Sequence, residues 1–75
     1  MMIGMLWYDN DPKTLLSVKI QKAQLHYKKK YGSSPNICLV NPSMSNKKEQ
    51  VGELTVKPYP HIPTGHMWIG VEKDE

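Results

Sequence analysis

Apolar residues along this chain fall into short runs of strand length, except in one stretch where they recur every three or four positions. That stretch runs from Asp11 to Gly32, and its spacing predicts the only helix of the chain. The face expected to be buried consists of Leu16, Ile20, Ala23, Tyr27 and Tyr31. The remaining apolar runs must pack on this helix or pair into a sheet beside it.

Both ends of the predicted helix carry residues typical of helix termini. Asp11 is expected to accept hydrogen bonds from the amides of the first turn, with Pro12 at the first helical position, where a missing N–H costs nothing. Gly32 is expected to end the helix in the left-handed conformation. Three lysines at positions 28–30 place positive charge beside the last carbonyls, which also favours a helix end there.

Four apolar runs predict strands. Met2–Tyr8 and Ile37–Val40 are apolar on both faces, which indicates strands that are covered on both sides. A third strand, about Glu53–Lys57, alternates between apolar and polar positions. A fourth, His66–Val71, places Met67, Ile69 and Val71 on one face. Because a helix joins the first two strands, we expect them to form a parallel pair connected by a right-handed crossover.

The segments between these runs predict loops. Residues 41–50 are mostly Ser, Asn, Lys and Pro, and we expect a mobile loop. Prolines at 58, 60 and 63 predict an extended, ordered loop over residues 59–64, because proline cannot donate a ladder hydrogen bond. The sequence therefore predicts a single α+β domain over residues 1–75, with one helix packed on a mixed sheet of about four strands.

One helix covers only one face of a sheet, whereas the first two strands are apolar on both faces. A chain of 75 residues buries only about 60% of its unfolded surface, so it is marginal without further contacts. We therefore expect a homodimer in which a second copy covers the other face, with Trp7, Tyr8 and Trp68 at the subunit interface. The alternative is that the proline-rich loop folds back over that face.

The net charge of +3 is unevenly distributed, because nine lysines and only two glutamates lie between Lys13 and Lys57. One flank of the helix is expected to form a basic contact surface of Lys19, Lys22, His26, Lys29 and Lys30, continued by Lys47 and Lys48 if their loop lies near. This surface would suit nucleic acid or an acidic protein, although a solvated helix surface has the same pattern. Since the chain has no arginine, contacts to nucleic acid would go to phosphates.

Three residue combinations suggest chemistry, and none matches a specific motif. Asp9 and Asp11 follow the first strand, where parallel α/β units bind ligands, and Asp9 with a histidine would suit a metal-assisted hydrolase or nuclease. His61 and His66 form a loose pair that falls short of a zinc site. Cys38 lies within an apolar strand, where burial makes a thiol inert.

The sequence therefore assigns no catalytic, metal-binding or cofactor-binding residue, and it predicts no cofactor. It favours an interaction module over an enzyme, with a structural subunit of a larger assembly as a further alternative. A single cysteine and the lack of a basic leader or a membrane-length apolar run predict a cytoplasmic protein without membrane contact.

Three segments resemble those of small uncharacterised bacterial proteins of similar length. They are WYDNDPKT at 7–14, YGSSPNICLVNP at 31–42 and HMWIGVE at 66–72. The resemblance covers nearly the whole chain and implies an intact small protein. It implies no particular activity, substrate or site.

Overall fold

One helix and five strands follow one another along the described part of the chain. They are β1 (Met2–Tyr8), α1 (Leu16–Tyr31), β2 (Ile37–Val40), β3 (Glu49–Val51), β4 (Leu54–Pro58) and β5 (His66–Glu72). The computed structural model describes residues 2–73. The expected α+β class is confirmed, with a mixed sheet of five strands where about four were expected.

The strands are arranged in the order β1-β5-β2-β4-β3. Both β1 and β2 pair antiparallel with β5, so they run in the same direction, as the strand–helix–strand pattern predicts. The expectation that they form a neighbouring pair is wrong, because β5 lies between them. A helix about 10 Å wide spans two strand spacings of about 4.8 Å, which leaves room for an inserted strand. The parallel pair of the sheet is β2 with β4.

The helix begins later than its sequence signals predict. Its first residue is Leu16, and the N-cap residue Leu15 makes no side-chain capping bond. The carboxylate of Asp11 instead closes a turn of its own, accepting hydrogen bonds from the amide of Lys13 at 2.9 Å and the hydroxyl of Thr14 at 2.7 Å. The predicted cap at Asp11 is therefore wrong, because both carboxylate oxygens are used before the helix starts.

Two glycines with left-handed backbone end an element or reverse the chain. Gly32 has φ 77° and donates its N–H to the carbonyl of Lys28 at 2.8 Å, so the predicted helix end is confirmed. Gly52, with φ 61°, opens the two-residue loop of the hairpin between β3 and β4. Because Glu53 beside it has negative φ, this loop corresponds to a type II′ turn. Strand β3 corrects the expectation that residues 41–50 form only a loop.

The main core lies between α1 and one face of the sheet, which we call the helix face. Its buried residues are Ile20, Ala23, Tyr27, Cys38, Val40, Leu54, Val56, Met67 and Ile69. Three of the five predicted stripe positions on the helix are thus fully buried. Leu16 packs partly against this core, whereas Tyr31 is largely exposed and its ring stacks on that of Tyr27 at 4.6 Å.

The opposite side of the sheet, which we call the open face, has a smaller cluster. Ile62 comes from the proline-rich loop and packs against Ile37, Leu39 and Trp68. That loop is ordered through two tight turns, rather than extended, and the side chain of Asn41 donates to the carbonyl of Ile62 at 2.8 Å. The loop therefore covers β2 and part of β5, and it leaves β1 uncovered.

Strands β1 and β5 approach closely where Gly4 and Gly70 are direct partners. A Cβ on Gly70 would collide with the carbonyl oxygen of Ile3 and lie 2.6 Å from the Cα of Gly4. We expect Gly70→Ala to lower the free energy of unfolding by about 2 to 3 kcal/mol, because neither backbone group can move without breaking the ladder.

Urea denaturation provides the measurement, with Gly52→Ala as the control. A Cβ on Gly52 meets no atom within 4 Å, so that variant carries only the penalty of a left-handed backbone, about 1 kcal/mol. A smaller loss of unfolding free energy for Gly70→Ala than for Gly52→Ala would contradict the close approach of β1 and β5.

Candidate functional site

The helix supplies the positive charge of the protein. Its 16 residues include five lysines and one histidine and no acidic residue. The rest of the chain carries five lysines against seven acidic residues and is therefore net negative. A positive helix on a slightly negative body concentrates the electrostatic potential on one side of the molecule.

Lys19 differs from the other lysines of the helix because it is buried, with 7% of its surface exposed. Its ammonium donates a hydrogen bond to the carbonyl of Asp9 at 3.1 Å and lies 3.9 Å from the Oδ1 atom of the same residue. Lys19 therefore connects the start of α1 to the end of β1. It is not part of the exposed contact surface. One sequence signal pointed to this position, since Lys19 lies four residues before Ala23 and borders the buried stripe.

The other predicted contact residues, Lys22, His26, Lys29 and Lys30, are exposed and form what we call the basic flank. The ring of His26 stacks on that of Trp7 at 5.0 Å, which places the flank above β1. Between the described residues the only ion pair is Lys19 with Asp9, so the flank faces solvent without a neutralising carboxylate. An array of this kind attracts anions.

Lys48 does not extend the basic flank. It lies beside Ile37, Thr55 and Lys57 in a polar depression at the open face, on the other side of the sheet. The basic flank was expected to continue to Lys48 only if the loop of Lys48 lay near the helix, and the loop does not lie there.

The three aromatic residues predicted at a subunit interface lie on two different faces. Trp7 packs on the helix face against the core and His26. Tyr8 and Trp68 lie on the open face, where the Trp68 ring leans over Gly4, so that a Cβ there would be 2.5 Å from a ring carbon. The structure thus brings Tyr8 and Trp68 to one surface, and the predicted dimer itself stays a prediction.

The acidic and histidine residues do not converge. The Oδ1 atom of Asp9 accepts a hydrogen bond from the amide of Asp11 at 3.1 Å and faces Lys19 on the helix side. His66 stacks on Tyr8 at 4.7 Å on the open face, so the sheet lies between it and Asp9. Within residues 2–73 no three His, Cys, Asp or Glu side chains are placed to hold a metal ion.

The hydrogen bonds of Asp11 show that it is a turn residue. The hydroxyl of Thr14, followed by the amide of Lys13, lowers the pKa of Asp11 below its usual value. Asp11 is exposed, and its carboxylate is charged at neutral pH. Asp9 and Asp11 therefore form a small acidic segment at the end of β1, with Asp11 available to a cation from outside.

Cys38 occupies the core, as the sequence predicts, and has no exposed surface. Loss of solvation raises the pKa of its thiol from 9.0 to about 12. Its Sγ atom lies 3.8 Å from the Sδ atom of Met67. A neutral, enclosed thiol of this kind is a packing group rather than a nucleophile.

Two shallow grooves are mainly apolar. One, of about 420 Å³, is lined by Ile3, Tyr27, Tyr31 and Val71, and the other, of about 410 Å³, by Leu39, Tyr59, Ile62 and Trp68. Small-molecule sites usually combine an enclosed apolar pocket with a few convergent polar groups. Neither groove has that arrangement, so the basic flank is the best-defined candidate surface.

Comparisons with protein-family models, with curated proteins and with solved structures find no match. The resemblance to small bacterial proteins therefore stays a prediction. In the part of the chain from residue 2 to residue 73, no helix has the length and apolar character needed to cross a membrane.

The buried thiol predicts a specific pH dependence. The native state keeps Cys38 protonated up to about pH 12, whereas the unfolded state loses that proton above about pH 9. Because the unfolded state then binds fewer protons, stability must fall as pH rises through this window, by up to about 1.4 kcal/mol per pH unit.

Urea denaturation between pH 8 and pH 10.5 measures this effect in the natural protein and in Cys38→Ala. Lysines and tyrosines contribute equally to the pH dependence of both proteins. The difference between the two slopes of unfolding free energy against pH is therefore due to the thiol. Parallel slopes would contradict a protonated, buried Cys38.

Proposed function

We propose that the protein is a small binding module that uses its basic flank to contact the phosphates of a nucleic acid. The observation that supports this proposal is the charge separation, with five lysines and no acidic residue on α1 and a net negative remainder. Lysine contacts phosphates as a point charge and reads little sequence, so binding would be largely independent of base sequence.

The spacing of the flank fits a phosphate backbone. Lys22 and Lys29 are seven residues apart, which corresponds to about 10 Å along a helix. One strand of duplex DNA presents about three phosphates over that distance. His26 lies between these two positions on the same side of the helix, so the polar side chains follow a line rather than a cluster.

The proposal predicts a salt-dependent interaction. Replacing Lys22 and Lys29 together by glutamine should weaken binding and reduce the slope of log affinity against log salt by about two, because about two counterions fewer are released. Fluorescence anisotropy with labelled DNA and RNA oligonucleotides, between 50 and 200 mM salt, provides the measurement.

The matched control is the double variant Lys48→Gln/Lys57→Gln, which makes the same change in net charge in the polar depression of the open face, away from the flank. Equal losses of affinity in the two variants would show that binding depends on net charge and not on the basic flank. Absence of binding to either nucleic acid at the lowest salt would overturn the proposal, and binding to poly-glutamate in its place would favour an acidic protein partner.

We also propose that the protein functions as a homodimer in the cytoplasm. The observation that favours a dimer is the uncovered part of the open face, where Leu6 is 55% and Tyr8 57% exposed beside the half-buried Trp68. The proline-rich loop accounts for the apolar residues of β2 but does not reach these side chains. Exposed apolar residues that lie together are typical of interaction surfaces.

Sedimentation equilibrium tests the dimer. We expect a mass that rises with concentration towards twice the 8.6 kDa of one chain. A mass of one chain at every concentration would contradict it.

A further inference from the structure

We propose that two copies of this chain join along the free edge of β1, in antiparallel orientation, so that the two sheets become one. The inference rests on the proposed homodimer and specifies the surface that forms it. Three features of the structure support it: the backbone groups of β1, its side chains, and the charges at its two ends.

The first feature is a row of backbone groups without a strand beside them. β1 pairs with β5 on one side and is the outermost strand of the sheet. The hydrogen bond from the Asp9 amide to the Gly65 carbonyl, at 2.8 Å, continues this ladder in the same register. Because an antiparallel ladder alternates, Gly4, Leu6 and Tyr8 direct their N–H and C=O groups away from β5. An antiparallel copy of the same strand complements these groups.

The second feature is the difference between the two edges of the sheet. The other edge strand, β3, is three residues long, fully exposed and includes Glu49 and Gln50, which is how proteins protect an edge. β1 is seven residues long and contains neither a proline nor a charge. Long, uncharged edges of this kind pair with another strand.

The third feature is charge complementarity along the edge. The helix runs antiparallel to β1, because Lys19 contacts Asp9 at one end and the Tyr27 hydroxyl lies 3.5 Å from the Ile3 carbonyl at the other. The acidic segment Asp9–Asp11 therefore lies at one end of β1, and the basic last turn of the helix lies above the opposite end. Antiparallel pairing of two copies brings each acidic end beside the basic end of the other.

Lys30 is the lysine placed for this contact. It follows Lys19 by eleven residues, about three helical turns, and so lies on the same side of the helix, towards the edge of the sheet. Lys19 holds the acidic segment of its own chain. In the single chain the Lys30 ammonium lies 5.5 Å from the centre of the Tyr31 ring. In the dimer, this flexible side chain turns towards the same segment, with its exposed Asp11, in the second copy. Lys22 and Lys29 remain available for phosphate.

The twofold axis of such a pair is perpendicular to the sheet. Both helices then lie on one face of the joined sheet, and both open faces lie on the other. Leu6 and Tyr8 of the two copies meet across the seam and cover one another, which accounts for their exposure in the single chain. The two basic flanks share one side of the dimer and present a longer positive surface.

Amide hydrogen exchange, followed by NMR at low and high protein concentration, tests the inference directly. The amides of Met5 and Trp7 bond to β5 and should exchange slowly at both concentrations. The amides of Gly4, Leu6 and Tyr8 should exchange quickly when dilute and slow by about tenfold or more when the dimer forms. A dimeric mass with rapid exchange at these three amides would overturn the edge pairing and leave the dimer standing. A single-chain mass throughout would overturn both.

Substitutions on the two edges provide a matched pair. Leu6→Lys places a charge beside the seam and should raise the dimer dissociation constant by about tenfold, because the two new lysines lie near one another across the twofold axis. Val51→Lys introduces the same change at the β3 edge and should leave that constant unchanged. Circular dichroism confirms that each variant is folded, and equal effects of the two substitutions would contradict the inference.

A second pair of variants tests the contribution of charge to dimer formation. Lys30→Glu should weaken the dimer, because it repels the acidic segment of the second copy. Lys28→Glu makes the same change on the other side of the helix, near Pro35, and should have little effect. Equal dissociation constants for these two variants would remove the charge argument.

Discussion

The fold depends on the pairing of β5 with two strands at once. This strand hydrogen-bonds to β1 on one side and to β2 on the other, and its Met67 and Ile69 are fully buried against the helix face. The last strand of the chain thereby joins the two strands that flank the helix in sequence. Without β5, the ladders that connect β1 to β2 through the centre of the sheet would be missing.

The close contact of Gly4 with Gly70 makes that pairing possible and affects the open face. Because neither residue has a side chain, the indole ring of Trp68 can lie over Gly4. A large aromatic residue therefore covers a position that would otherwise leave backbone exposed. The Trp68 ring covers Gly4 only, and the next two open-face side chains of β1, Leu6 and Tyr8, stay exposed at the edge.

The distribution of positive charge follows from the position of the helix above β1. The helix lies above β1 with the basic flank on one side, and Lys19 binds the end of β1 inside the protein. The remaining cations lie on the solvent side, away from the core. One element thus has three roles, since it covers the helix face, anchors an edge strand and carries the net positive charge.

Local pattern determined much of this structure. The bounds of β1 and β2, the helix end at Gly32, the inward positions Leu54 and Val56 and the buried Cys38 follow from hydropathy spacing and backbone preference, which act over a few residues. The helix start did not follow, because the local turn of Asp11 competes with capping. β3 was missed because its three residues are exposed and acquire strand geometry only from their partner.

Only the tertiary structure decided which strands are neighbours and which lysines face solvent. Strand order is set by contacts between residues far apart in sequence, such as β5 with β1, and no local pattern encodes them. Lys19 and Lys22 are both lysines on the same flank in sequence, yet Lys19 lies against Asp9 and Lys22 lies in water, because the two side chains leave the helix in different directions around its axis. The positive helix was already evident from composition, whereas its position above a free strand edge required the fold.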